Sequence, residues 1–322
     1  MASLVGTTLG RYLLVRLLGE GGMGAVYEAI HQDLGRRVAI KILHARHAES
    51  HQARLRVLRE GQAASRVRHP NVADVYDVST EGALPYLVME LLEGEVLREV
   101  LARESPLTPE RTADLLSPVV AAVAAAHDQG VVHRDLKPEN IFLSAERNGI
   151  KPKVLDFGIA KVALGEDAQA LTDMGAFLGT PYYVSPEQAQ GARDIDARAD
   201  QYSLGVILYE CVTGRRPFVG ASAYDLIQKI VRGDFPPPRE AYPKLPSAFE
   251  AVILRVMARD PAQRYSTTRA FGERLLEFAS ERVRNACADE FVADGACSRR
   301  VVSGHLENPC LSTRETEATR SP

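Results

Sequence analysis

VVHRDLKPENIFL, residues 131–143, sets a mainly polar, turn-forming run of eight, His133 to Asn140, between two apolar pairs that read as short β-strands. Apolar clamps on both sides hold a polar loop at a surface, the usual way of presenting catalytic groups. Within it Asp135 is placed to accept a proton, Lys137 to neutralise a transferred phosphate, and Asn140 to ligate a metal. A surface turn rich in charge would read the same way, so the flanking segments have to decide.

Upstream, Arg11 to Leu18 reads as a strand, GEGGMG follows, and Ala25 to Ile30 reads as a second strand. Gly19, Gly21 and Gly24 therefore form G-x-G-x-x-G between two strands. A dinucleotide-binding fingerprint needs these glycines to open a helix, whereas Ala25-Val26-Tyr27 continues as strand. A glycine hairpin lets backbone N–H groups approach phosphates, with Val26 facing a purine; an ordinary flexible hairpin would carry the same string.

Arg37 to Leu43 alternates, sending Val38 and Ile40 to one face and Ala39 and Lys41 to the other. From about Ser50 to Arg66 the pattern is helical, with Ala53, Val57, Ala64 and Val67 on one stripe and Glu60 in its middle. A carboxylate there is costly unless a cation meets it. Lys41 is the candidate, and the pair would set the lysine on nucleotide phosphates; a solvated Lys41 and a half-exposed Glu60 are the alternatives. His69-Pro70-Asn71 stops this helix. Val72–Val78 and Pro85–Leu91 read as strands, the second leading into a linker where Met89 would border a nucleotide pocket. The backbone of Glu90 to Leu92 would meet an adenine edge.

Downstream of the linker, Thr108-Pro109-Glu110 starts a helix that should run to about Gln129, with Gly130 as its stop. Pro118 inside it predicts a bend. After the polar loop, Lys153 to Leu155 reads as a short strand ending at Asp156-Phe157-Gly158. Asp156 and Asn140 together would supply oxygen ligands to a divalent cation. Residues 161–177 lack periodicity, and GTPYYVSPE (179–187) reads as an ordered segment. Asp200 to Val212 is apolar nearly all round, hence a central helix, with Asp200 as an N-terminal capping charge. Helical patterns return at Ala223–Val231, Ser247–Ala258 and Thr268 to about Arg284. Arg264, in the turn between the last two, either pairs with Glu187 or is exposed.

In this order the motifs LGEGGMGAV, VAIK, a helix glutamate, HRDLKPEN, DFG, GTPYYVSPE, D-x-YSLGV and DPAQR resemble the eukaryotic-type (Hanks-type) serine/threonine protein kinases, most closely the bacterial members. The resemblance spans about residues 9 to 280. It implies an α+β, bilobal protein-kinase fold: a small antiparallel β-sheet lobe with one main helix (9–92) and a larger, mostly helical lobe (93–280). Residues 1–8 would form an extension and 281–322 a weakly ordered tail. ATP would lie under Gly19, Gly21 and Gly24, lined by Leu18, Val26, Ala39, Met89, Glu90 and Leu92. Lys41, held by Glu60, would contact the α- and β-phosphates. Asp135 and Lys137 would act on the attacking hydroxyl and transferred phosphoryl group, and Asn140 and Asp156 would hold Mg²⁺. Asp200 would brace the catalytic loop. Thr180, Glu187 and Arg264 would form the substrate shelf, and Lys137 and Thr180 point to serine/threonine specificity. Thr172 would be the regulatory phosphosite, paired with Arg134. Ser185 stands where the family more often has alanine.

The resemblance implies a kinase of protein substrates, self-phosphorylating and forming a homodimer for trans-phosphorylation. The rival is an inactive pseudokinase acting as a scaffold, which would ordinarily lack Lys41, Asp135 or Asp156. A small-molecule kinase would lack the GTPYYVSPE segment. Composition fits a soluble globular chain: 322 residues, 45% hydrophobic, 25% charged and a net charge of −3, which recruits neither nucleic acid nor an anionic membrane. No secretory leader or membrane-length apolar run is visible, so a cytoplasmic location is expected. Cys287, Cys297, His305 and Cys310 lack the close pairs of a zinc site, and the expectation is an unmetallated tail.

Overall fold

The computed structural model describes residues 4–21, 24–43, 58, 61–62, 65–80, 84–156, 181–192 and 194–292. The small lobe is a six-stranded antiparallel sheet in the order β1-β2-β3-β4-β6-β5. Its strands are β1 (Thr8–Leu9), β2 (Tyr12–Glu20), β3 (Gly24–His31), β4 (Arg37–Leu43), β5 (Val75–Ser79) and β6 (Tyr86–Met89). Strand alternation divides its faces. Tyr27, Ala29, Val38, Ile40, Ile42, Tyr86 and Val88 join Tyr12, Leu14 and Ala25 in one buried cluster. The opposite face is therefore the one left for a ligand. Helical residues recur at 58, 61–62 and 65–66, as the apolar stripe predicts.

A short sheet, β7 (Gly94–Val96), β8 (Ile141–Glu146) and β9 (Gly149–Val154), is followed or flanked by the helices of the second core. These are α1 (Leu97–Glu104), α2 (Pro109–Asp128), α3 (Pro186–Ala189), α4 (Arg198–Thr213), α5 (Ala223–Arg232), α6 (Pro238–Ala241), α7 (Ser247–Val256), α8 (Thr268–Leu276) and α9 (Glu281–Cys287). The Thr108 hydroxyl accepts the Arg111 N–H to start α2, which runs unbroken through Pro118. Helix α4 is buried from Ala199 to Thr213 and ends on Gly214 at φ 70°, a left-handed cap that glycine adopts without a Cβ penalty.

Four expectations need correction. Val131 and Val132 form no strand. Gly130 (φ 71°) reverses the chain after α2, its N–H bonding His127 C=O at 2.9 Å and that of Val131 bonding Ala126 C=O at 2.9 Å, so the pair completes a helix stop. Val72 lies outside β5 and instead bridges Val154 in parallel. The helix read from Thr268 to about Arg284 breaks at 277–280. There the Phe278 and Ala279 N–H groups turn back to Leu275 and Leu276 carbonyls, and Ser280 N–H goes to Asp114 Oδ1 at 2.7 Å. Residues 281–292, expected as the start of the tail, are folded, with Val283, Cys287 and Phe291 buried in the large core; residues 293–322 lie outside the described residues.

Candidate active site

Strand register assembles one wall. Val26 opposes Lys41, Lys41 opposes Leu87, and Ala39 opposes Met89, so all five side chains share the sheet face turned away from the small-lobe core. Leu18 sits near the exposed end of β2. The glycines differ in what they do. Gly21 N–H bonds Gly24 C=O at 2.9 Å to close the turn, while a Cβ at Gly24 would stand 2.1 Å from the Ile42 carbonyl oxygen. Gly24 thus serves the close approach of β3 to β4, and a Cβ at Gly19 would meet nothing within 4 Å.

The linker is more committed than its sequence suggested. Glu90 N–H bonds Asp74 C=O at 2.9 Å, and its carboxylate accepts Asp74 N–H at 2.8 Å and Lys153 Nζ at 2.5 Å. The Glu90 contribution to an adenine edge is thereby limited to its carbonyl. Glu60, Thr172 and Thr180 lie outside the described residues.

The loop from His133 to Asn140 is held from beneath by one carboxylate. Asp200, fully buried in the first turn of α4, accepts the backbone N–H of His133 and of Arg134, both at 2.7 Å, and meets His127 Nε2 at 2.8 Å. Burial works to raise its pKa, but the hydrogen bonds and charge of His127 and the His133 contacts hold it below the ordinary aspartate range. The clamp secures an unusual backbone: Arg134 has φ 64°, a left-handed conformation that costs a residue with Cβ about 1 kcal/mol. Asp156 (φ 47°) is the other such non-glycine among the described residues. Strain of this kind concentrates at working sites.

With Arg134 so turned, Lys137 Nζ lies 2.8 Å from Asp135 Oδ2. Asn140 Nδ2 donates to Asp135 C=O at 2.9 Å, which leaves Asn140 Oδ1 as the oxygen available to a cation. Leu155 N–H bonds Asn140 C=O at 2.8 Å, and its carbonyl lies 3.0 Å from buried His133 Nε2, so Asp156 is fixed one residue beyond the loop. Lys41 Nζ reaches Asp156 Oδ2 at 2.8 Å. Lys41, Asp156, Asn140 and Asp135 are thus linked by direct contacts through neighbouring residues. An amide oxygen beside a carboxylate is a hard donor set that suits a magnesium-like cation.

Arg264 does pair with Glu187. Its two terminal nitrogens reach Glu187 Oε1 and Oε2 at 2.7 and 2.8 Å, and the guanidinium also donates to the Ala258 and Arg198 carbonyls. A second cluster escaped the sequence reading. Arg98 on α1 donates to Glu139 Oε1 at 3.0 Å and Glu210 Oε1 at 2.9 Å and meets the Tyr183 hydroxyl, tying the loop, the shelf and α4 together. Its signal was present: Glu210 interrupts the apolar run from Leu204 to Val212, and a carboxylate there demands a cation.

Comparison with known proteins agrees with this geometry. The family model described as "Protein kinase domain" matches residues 12–276. Serine/threonine-protein kinase Pkn1 of Myxococcus xanthus is 44% identical over 87% of the chain, and PknB of Mycobacterium tuberculosis 41% identical over 80%. The chain spans 40% and 41% of the lengths of these two relatives, less than half of each. Among solved structures, the Mycobacterium tuberculosis PknI kinase domain superposes with a TM-score of 0.69 at 28% identity, covering 86% of this chain and all of that one. The two-lobed fold, the linked Lys41–Asp156–Asn140–Asp135 set and the matched region agree: this chain belongs to the protein kinase family.

Proposed function

We propose that the chain is an active serine/threonine kinase that transfers the γ-phosphoryl group of ATP to hydroxyls of protein substrates. The observation that carries this reading is the contact series from Lys41 through Asp156 and Asn140 to Asp135, which brings an ammonium group, an amide oxygen and two carboxylates together. Lys41 would hold the α- and β-phosphates beneath the Gly19–Gly24 turn, with Leu18, Val26, Ala39, Met89, Glu90 and Leu92 around the base. Asn140 Oδ1 and the Asp156 carboxylate would hold Mg²⁺, which when bound neutralises phosphate charge. Asp135 would orient the substrate hydroxyl and take its proton, while Lys137 stays beside both. Catalysis then rests on positioning and electrostatics.

Glu187 and Arg264 would support the peptide shelf with Thr180. Arg134 would receive a phosphate on Thr172, a reading supported by its buried Nε, which has no hydrogen-bond partner among the described residues. Phosphorylation of one copy by another would make a transient homodimer the activating species. ATP as donor argues for a cytoplasmic site of action.

Intact mass after incubation with Mg·ATP, wild type against Asp135→Asn, tests the reading. Phosphate increments in the wild type alone are expected, with fragmentation placing one on Thr172. No increment in either protein, with nucleotide still bound, would favour a scaffold.

A further inference from the structure

The matched family region ends at Leu276, yet the chain stays folded to Val292, and its Glu290 reaches His69 ahead of β5. Phe291 is buried against Gly272 of α8, and Val283 and Cys287 sit in the large core. Arg269 clamps this segment by meeting the Glu290 carbonyl and the Asp128 carboxylate. With its backbone so anchored, the Glu290 carboxylate lies 3.5 Å from Nε2 of His69, whose side chain is 6% exposed.

His69 is well placed to pass that contact on. Its Nδ1 accepts the Asn71 N–H at 3.1 Å, so Nε2 carries the proton; Nε2 makes no hydrogen bond among the described residues, and the Glu290 carboxylate at 3.5 Å is the charge it meets. Asn71 grips β9: its Nδ2 donates to Pro152 C=O at 2.7 Å, and its carbonyl accepts the Val154 N–H at 2.8 Å. Ala73 N–H bonds Val154 C=O at 3.0 Å on the same strand. Beside this grip, Lys153 reaches Glu90 of the linker, and two residues past Val154 is Asp156.

We propose that residues 281–292 are a strap that positions the nucleotide site, with Glu290 as a positioning residue that acts on β9 and Asp156 through His69 and Asn71. The strap lies outside the region that the family model matches. The affinity effect rests on the kinase reading above; the effect on β9 does not.

The test uses the full chain with Glu290→Ala, Glu290→Gln and Phe291→Ala, read by hydrogen exchange and by calorimetric titration with Mg·ADP. Glu290→Ala should accelerate exchange at Val154 and Leu155 while leaving the centre of α4 unchanged, and should weaken Mg·ADP binding about five-fold. Glu290→Gln, which keeps an acceptor for His69, should restore most of both. Adding His69→Ala to Glu290→Ala should cost little more than either alone. Faster exchange confined to 281–292, with Val154 and Leu155 as in the wild type, would overturn the proposal and leave the segment as packing only. Should Phe291→Ala fail to fold, the Glu290 pair decides, because neither change removes buried apolar surface. A wild type that binds no nucleotide would sink the kinase reading, and exchange at Val154 and Leu155 would still judge the strap.

Discussion

Lys41 Nζ stands 2.8 Å from Asp156 Oδ2, joining the central strand of the small lobe to the residue that follows Leu155. Both side chains keep partial exposure, 26% and 31%, so a nucleotide phosphate and its metal can reach the same space. A lysine on phosphate contributes mainly by preorganised charge. Lys41→Met should therefore lower kcat/KM by about 10²–10³, the usual cost of losing one such donor, with an unchanged melting temperature. Steady-state kinetics on a peptide substrate check this. Near-wild-type turnover in the variant would remove Lys41 from the phosphate site.

Asp200 predicts a pH signature. Its folded pKa is depressed, so the stabilisation it gives is complete above the unfolded aspartate value of about 3.9 and is lost as pH falls through the folded value. The stability gap between wild type and Asp200→Asn should be flat from neutral pH down to about 4 and close below it. Urea unfolding at a series of pH values measures the gap; closure near neutrality would show that the Asp200 carboxylate does not control it.

The Arg264–Glu187 pair predicts an asymmetry. Arg264 is 0% exposed and Glu187 16%, and removal of either charge strands the other in low dielectric. Glu187→Ala should destabilise by about 3–5 kcal/mol, and Glu187→Gln by less because one acceptor remains. Equilibrium unfolding separates them. Equal loss in both would show that charge, and not hydrogen bonding, dominates the contact.

Much of this site was legible because its residues cluster in short strings. The loop from His133 to Asn140 carries the proposed base, cation and metal ligand within eight positions, and strand alternation alone put Ala39 and Lys41 on one face. Contacts between distant residues were harder to read. That Asp200 braces the loop as well as its own helix came only through the resemblance, because a 2.7 Å contact across 67 residues is encoded in no local pattern. The break at 277–280 was invisible for a different reason. Phe271, Leu275, Ala279, Val283 and Cys287 recur every four residues and are all buried, so the apolar stripe runs on through a turn that has neither glycine nor proline. Helix α1 was overlooked although Leu97, Val100 and Leu101 have helical spacing, because its eight residues directly follow a strand.

Gly272 offers a prediction whose sign depends on a second residue. It lies inside α8, where replacing glycine by alanine ordinarily stabilises by about 1 kcal/mol. Here a Cβ would stand 2.1 Å from Phe291 Cε1, a distance no packing tolerates, so the ring must leave its seat. Expelling a buried phenylalanine forfeits about 1.5–3 kcal/mol, which exceeds the helix gain. Gly272→Ala should therefore destabilise the wild-type chain by about 0.5–2 kcal/mol. In the Phe291→Ala background the obstacle is gone and only the helix preference remains, so the same change should stabilise. Thermal melts of the four proteins give the cycle directly. A glycine substitution with the same sign in both backgrounds would mean that the ring repacks freely, and that Phe291 does not anchor the segment ending at Val292.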